Sequence, residues 1–180
     1  MRMKPSTIKG LIKFIRSVLL LHIKSLTTTE TYIKIKQGLV MQLSEYLQYD
    51  GLGLAELVAN KEVLASELLN LALERAADTN PQLNAIIIPM YDYAEQRTKQ
   101  QLTGPFAGVP FLVKDLFQEY AGYPTSYGCK GLKRIHHIAE QNSEIVNRWE
   151  NTGIVTFGRT NTPEFGIKGI TEPDAWGTCH

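Results

Sequence analysis

The spacing of apolar positions along the chain changes several times, and each change marks an element. Between residues 65 and 79, Leu68, Leu69, Ala72, Leu73, Ala76 and Ala77 recur three and four apart, the spacing of one helix face. Asn80-Pro81 is expected to stop that helix, since proline brings no N–H and pushes its predecessor away from helical backbone. A shorter helix is predicted over 52–60, where Leu52, Leu54, Ala55, Leu57 and Val58 follow the Asp50-Gly51 turn signal. Three compact apolar runs read as strands: 84–88 ending at Pro89, 109–113 ending in Lys114-Asp115, and 154–158. Polar helices are predicted over 90–102, closed by Gly104-Pro105, and over 143–151, with Asn142 or Ser143 as N-cap and Gly153 as the stop. Residues 118–134 are rich in Gly, Tyr, Pro and Ser and read as loop. Thr162-Pro163-Glu164 has the order of a helix start: a cap, proline at the first position and an acid in the first turn. Strands alternating with helices predict an α/β fold, with parallel connections and central strands apolar on both faces.

Charge divides the chain. Residues 1–40 carry a net +7 and residues 41–180 a net −6, although the whole is only +1. We therefore read 1–40 as a basic extension outside the fold and 41–180 as the folded part. Within the extension, apolar residues at 8, 11, 12, 15, 18, 19 and 23 fit a basic amphipathic helix. The simplest reading is an upstream extension without function, Met41 being the alternative initiator. A targeting or membrane-surface role is the other. Its apolar stretch, 17–23, is far shorter than the ~20 residues a bilayer span needs. No membrane or nucleic-acid partner is expected. The 43% hydrophobic and 21% charged composition excludes a disordered or disulfide-stapled chain. Two cysteines 50 positions apart, Cys129 and Cys179, make no Cys-x-x-Cys motif and fit reduced thiols in the cytoplasm. The histidines lack metal-helix spacing, and no Gly-rich phosphate loop occurs, so neither a metal nor a cofactor is expected.

Candidate chemistry collects after the second strand. Lys114 stands at the end of an apolar strand, where α/β sheets place their sites. Buried there, its amine would be a usable base at neutral pH. On residue chemistry alone, a solvated Lys114 in a surface ion pair with Asp115 is the simpler reading. The 122–131 loop could line a cleft with amides and hydroxyls, or serve only as a connector. Cys129 has no acid or histidine fixed beside it, which favours an inert thiol. The free amides of 160–164 could hold an anion, or that stretch could be a plain helix cap. His136 and His137 read as surface residues.

Three ungapped stretches, Asn80–Ile86, Gly104–Leu116 and Gly158–Gly166, resemble the amidase signature family, and Thr171–Gly177 extends the match. The Ile-Ile-Ile-Pro and Glu-Pro-Asp-Ala-Trp-Gly stretches are similar to the branch containing 6-aminohexanoate cyclic-dimer hydrolases. The resemblance implies a mixed sheet with flanking helices and hydrolysis of a small-molecule amide by a Ser–cis-Ser–Lys triad. Lys114 then corresponds to the base, and Gly128 and Cys129 to substrate-side contacts. Cys129 is a departure, since the family commonly has serine there. Leu64 is another, standing where Ser or Thr usually caps a helix, at a cost of about 1 kcal/mol.

A larger departure concerns the family's Gly-Gly-Ser-Ser-Gly-Gly-Ser stretch, which bears both serines and the oxyanion loop. It has no counterpart here, and no Gly-Gly dipeptide occurs in the chain. The resemblance thus implies an N-terminal portion of the amidase fold with an incomplete sheet, inactive alone because triad members are missing. An unpaired strand edge and an uncovered apolar face are expected, together with marginal solubility and dependence on a C-terminal half or a second copy as partner. Two alternatives stand beside it: a non-catalytic remnant or interaction module, and an A-type amidotransferase subunit.

Overall fold

The structure, a computed structural model, describes residues 41–180. The expectations for 1–40 lie outside the described residues. A short helix α1 (Leu43–Tyr46) precedes α2 (Gly51–Ala59) and the long α3 (Ala65–Leu83). Then come β1 (Ile86–Pro89), α4 (Tyr91–Thr98), β2 (Pro110–Lys114), α5 (Lys130–Arg134), α6 (Glu144–Glu150) and β3 (Val155–Thr160). A single 3-10 turn follows at Glu164–Gly166.

The helix starts follow the local chemistry unevenly. Asp50 caps α2 by accepting from the Gly53 amide at 2.8 Å. At α3 the exposed Leu64 offers no acceptor, and only the reciprocal half of a capping box forms, Glu67 Oε2 accepting from the Leu64 amide at 2.7 Å. Ser143 occupies the cap position of α6, yet its hydroxyl makes no cap bond. The expected stop at Asn80-Pro81 is not observed: α3 runs through Pro81 to Leu83 and ends at Asn84 in left-handed backbone (φ 50°). Pro81 lacks the N–H that would bond the Ala77 carbonyl, but the helix runs only two residues further, and Asn80 Oδ1 accepts from the amides of Ala85 (2.9 Å) and Ile86 (2.7 Å). That side chain fixes the passage from helix to strand.

The sheet has the order β1-β3-β2. β2 runs parallel to β3 and β1 antiparallel to it, so the sheet is mixed, as the resemblance implies, and the parallel connection read from the strand-helix-strand order fails at β1. The β1-to-β2 connection through α4 passes across β3 rather than returning to a neighbouring parallel position. β3 is buried over Val155–Arg159. Val155 and Phe157 pack on Leu69, Ala72 and Ala76 of α3 and on Ala94 of α4. On the other side Val113 packs with Met90, Tyr120 and Val146. A third cluster, Leu54, Ala55, Val63, Leu68 and Val109, joins α2 and α3 to the start of β2.

Among the described residues β1 and β2 each pair with β3 alone. A groove of about 370 Å³ opens beside β2, walled by Ala72, Leu83, Ile86, Phe111, Leu112 and Phe157. The expected unpaired edge is thus present among the described residues, while the groove lies between α3 and the sheet.

Candidate active site

The C-terminal ends of β2 and β3 lie side by side, Lys114 opposite Thr160. Two adjacent residues there meet opposite fates. Val113 and Asp115 are buried, whereas the Lys114 side chain is exposed. This corrects the expectation that Lys114 sits out of water behind the strand. β2 is an edge strand among the described residues, and alternation along it places Lys114, its last residue, opposite the buried Val113. The Lys114 amide is held by Gln118 Oε1 at 2.6 Å, so the backbone is fixed while the amine is free to be covered.

The surface ion pair with Asp115 is also not observed. Asp115 is fully buried and pairs with Arg159 of β3, Nε to Oδ1, at 2.9 Å. Arg159 Nη1 donates to the Gln118 carbonyl (2.9 Å) and Nη2 to Thr125 Oγ1 (3.0 Å). Asp115 also accepts from Thr125 Oγ1 at 2.9 Å, from the Ser126 amide at 3.1 Å and from Ser126 Oγ at 2.5 Å. Two buried charges are tolerable only when so fully bonded. Ser126 Oγ in turn accepts from Trp176 Nε1 (2.8 Å) and the Gly128 amide (3.2 Å). One centre thus ties together the end of β2, β3, the 123–129 loop and the 171–180 segment. Sequence reading missed it. The available signal was an arginine directly continuing the buried run Val155–Gly158, in register with the buried Val113.

Gly128 and Cys129 belong to that loop. Gly128 is buried at φ +69°, and a Cβ there would stand 2.7 Å from the Thr162 carbonyl oxygen, so only glycine fits against the 162–164 turn. Cys129 is half-buried, and its amide donates to the Ser126 carbonyl at 2.8 Å. The connector reading of 118–134 is corrected at its end: Cys129 opens α5, a five-residue helix. The link between this loop and Lys114 runs through Asp115.

The expected helix start after β3 is corrected too. Phe165 (φ 50°) and Gly166 (φ 70°) are left-handed and end the 3-10 turn at once. Several amides here are already engaged, Thr162 N with Asn161 Oδ1 at 2.9 Å, Phe165 N with the Tyr127 carbonyl at 2.8 Å and Gly166 N with the Pro163 carbonyl at 2.9 Å. That arrangement leaves no helix end to hold an anion. Beside the site, Phe117, Tyr127 and Phe165 stack in sequence, with centroids 5.3 and 6.1 Å apart. Partial burial and the hydrogen bond to Glu119 push the Tyr127 hydroxyl up to about 12.

On the far side of the loop a cleft of about 220 Å³ is lined by Pro124, Leu132, Lys133, His136, His137 and Trp176. His136 is exposed, as expected, and His137 half-buried. Among the described residues no group of three His, Cys, Asp or Glu could hold a metal ion, and no helix is long and apolar enough to cross a membrane.

The Amidase family model matches residues 67–180. The 6-aminohexanoate-cyclic-dimer hydrolase of Paenarthrobacter ureafaciens is 40% identical over 131 residues, 73% of this chain and 26% of that protein. The A-type subunit of the glutamyl-tRNA(Gln) amidotransferase of Methylobacillus flagellatus is 32% identical over 131 residues, 69% of this chain and 26% of its own. The solved structure of 6-aminohexanoate cyclic dimer hydrolase superposes with a TM-score of 0.71 at 38% identity, covering 74% of this chain and 28% of that one. The chain thus spans about a quarter of the length of the curated relatives it matches.

Proposed function

Because the chain belongs to the amidase family, we propose that it supplies the base-bearing first part of an amidase acting on a small-molecule amide. In this reading Lys114 is the base of a Ser–cis-Ser–Lys triad. Its neutral amine takes a proton from a bridging serine, which takes one from the nucleophilic serine as that oxygen attacks the amide carbon. Protonation of the leaving nitrogen frees the amine, and water then releases the acid. The Gly/Ser-rich stretch to which the resemblance assigns both serines and the oxyanion donors has no counterpart in this sequence, so in this reading residues 1–180 alone do not turn over.

One observation supports the reading. The Lys114 backbone is held at a sheet end, its amide by Gln118 and the next residue by the buried polar centre, while its side chain is exposed. A base must be held out of water to work near neutral pH, and the missing part of the domain is what would cover it. Gly128 shapes the substrate side by letting the loop lie on the 162–164 turn, and Cys129 presents its half-buried thiol from the same loop. Both thiols are free, which suits a cytoplasmic protein. The amidotransferase reading takes second place, since that relative is less similar and residues 41–180 are acidic, a poor surface for RNA.

The test is a graft. Residues 41–180 replace the matching part of the Paenarthrobacter ureafaciens hydrolase, and amide hydrolysis is measured for the graft and for the chain alone. Turnover by the graft only is expected. A folded graft without turnover would refute the assignment, and turnover by the chain alone would refute its dependence on the rest of the domain.

A further inference from the structure

The sequence motif Glu-Pro-Asp-Ala-Trp-Gly has no role in the function proposed above, yet the structure fastens it tightly. Asn84 Nδ2 donates to the carbonyls of Trp176 (2.8 Å) and Thr178 (2.9 Å), and Asn161 Nδ2 to that of Gly177 (3.1 Å). Lys133 Nζ donates to the Ala175 carbonyl at 2.5 Å and lies 3.6 Å above the Trp176 ring. These contacts hold the segment in place. The indole N–H does something different, reaching inward 2.8 Å to Ser126 Oγ.

Ser126 is 1% exposed, and its hydroxyl is saturated. A hydroxyl has one proton to give and two lone pairs. Here the proton goes to Asp115 Oδ2, and the lone pairs accept from Trp176 Nε1 and Gly128 N. Removing the indole donor leaves a buried acceptor unsatisfied and frees the hydroxyl to rotate away from Asp115. Asp115 is the residue after Lys114, and its own amide donates to the Thr160 carbonyl at 3.0 Å.

We propose that Trp176 is a positioning residue: through Ser126 and Asp115, its indole N–H fixes the end of β2 and with it the direction in which Lys114 leaves the sheet. The coupling is a property of this chain, and its relevance to catalysis rests on Lys114 being the base.

Amide hydrogen exchange on the full chain tests it, with Trp176→Phe, which keeps a ring under Lys133 but loses the donor, against Lys133→Met, which loosens the segment but keeps the donor. In Trp176→Phe the amides of Asp115 and Ser126 are expected to exchange about fivefold faster, the effect of one lost hydrogen bond. The amides of Met90 and Ala94, at the cap and within α4, should hold their rates. Lys133→Met should leave all four unchanged. Ser126→Ala, which removes the intermediary by another route, should reproduce the pattern at Asp115. Unchanged Asp115 exchange in Trp176→Phe, or equal acceleration in Lys133→Met, would overturn the proposal. Its failure is separable from that of the functional reading: the first shows in exchange rates, the second in hydrolysis by a graft lacking Lys114.

Discussion

The two flanks of β2 are built on opposite terms. At its C-terminal end the chain encloses a buried charge pair and gives each side-chain nitrogen and oxygen atom of Asp115, Ser126 and Arg159 a partner. By contrast the Lys114 side chain at the same strand end is exposed, and an apolar groove opens between α3 and the sheet. The sealed flank can be completed from residues 41–180 alone, because its partners come from the 115–129 loop, β3 and Trp176. Lys114 has no such enclosure: among the described residues no strand pairs with the outer edge of β2, and the side chain stays exposed. In the proposed reading residues 41–180 hold the base in place, and covering it is a separate requirement.

Substitution at the sealed flank should have the largest effect. Asp115→Ala leaves the Arg159 guanidinium buried without its carboxylate, and breaking such a pair costs about 3–5 kcal/mol. A urea midpoint measured beside the parent chain reads this directly, and an unchanged midpoint would mean that the pair is solvated. Gly128→Ala comes next. It puts a Cβ 2.7 Å from the Thr162 oxygen in a left-handed backbone conformation, and about 1–3 kcal/mol should be lost. A neutral result in the same titration would mean that the loop can shift without strain.

Alkaline pH should give a smaller, graded loss. Burial raises the Tyr93 and Tyr120 hydroxyls well above the ordinary tyrosine value of 10, and Glu150, which both face, adds to it. In the fold these groups keep their protons at a pH where the unfolded chain gives them up. Above pH 10 the native state thus binds more protons than the unfolded one, and stability falls as pH rises. It is unaffected by these groups below pH 10. Urea midpoints that stay level from pH 9 to 11 would refute the burial argument. Lys114→Ala should be the mildest, within about 0.5 kcal/mol of the parent, because an exposed side chain on a pinned backbone holds nothing else in place. A loss comparable with that of Asp115→Ala would place Lys114 inside the scaffold and remove the contrast.

What could be read from the sequence follows the same division. Elements set by local pattern, such as the apolar face of α3, the Asp50 cap and the run ending at Lys114, were legible because the residues that decide them are neighbours in the chain. Pro81 misled because proline's cost depends on where in a helix it falls, and Asn80's bonds to β1 lie outside that local rule. Lys114 misled because burial is a property of neighbouring strands, which a residue's own run of apolar neighbours does not reveal. The Asp115–Arg159 pair spans 44 positions and Trp176–Ser126 spans 50, so both depended on the parallel register of β2 with β3 and on the course of the last ten residues.

The most direct measurement is amide hydrolysis by the graft described above with Lys114 replaced by alanine. Stability of that variant should match the parent graft within about 0.5 kcal/mol, while turnover falls by at least about a thousandfold. A Lys114→Ala graft that hydrolyses the amide at a rate near the parent's would contradict the assignment of Lys114 as the base.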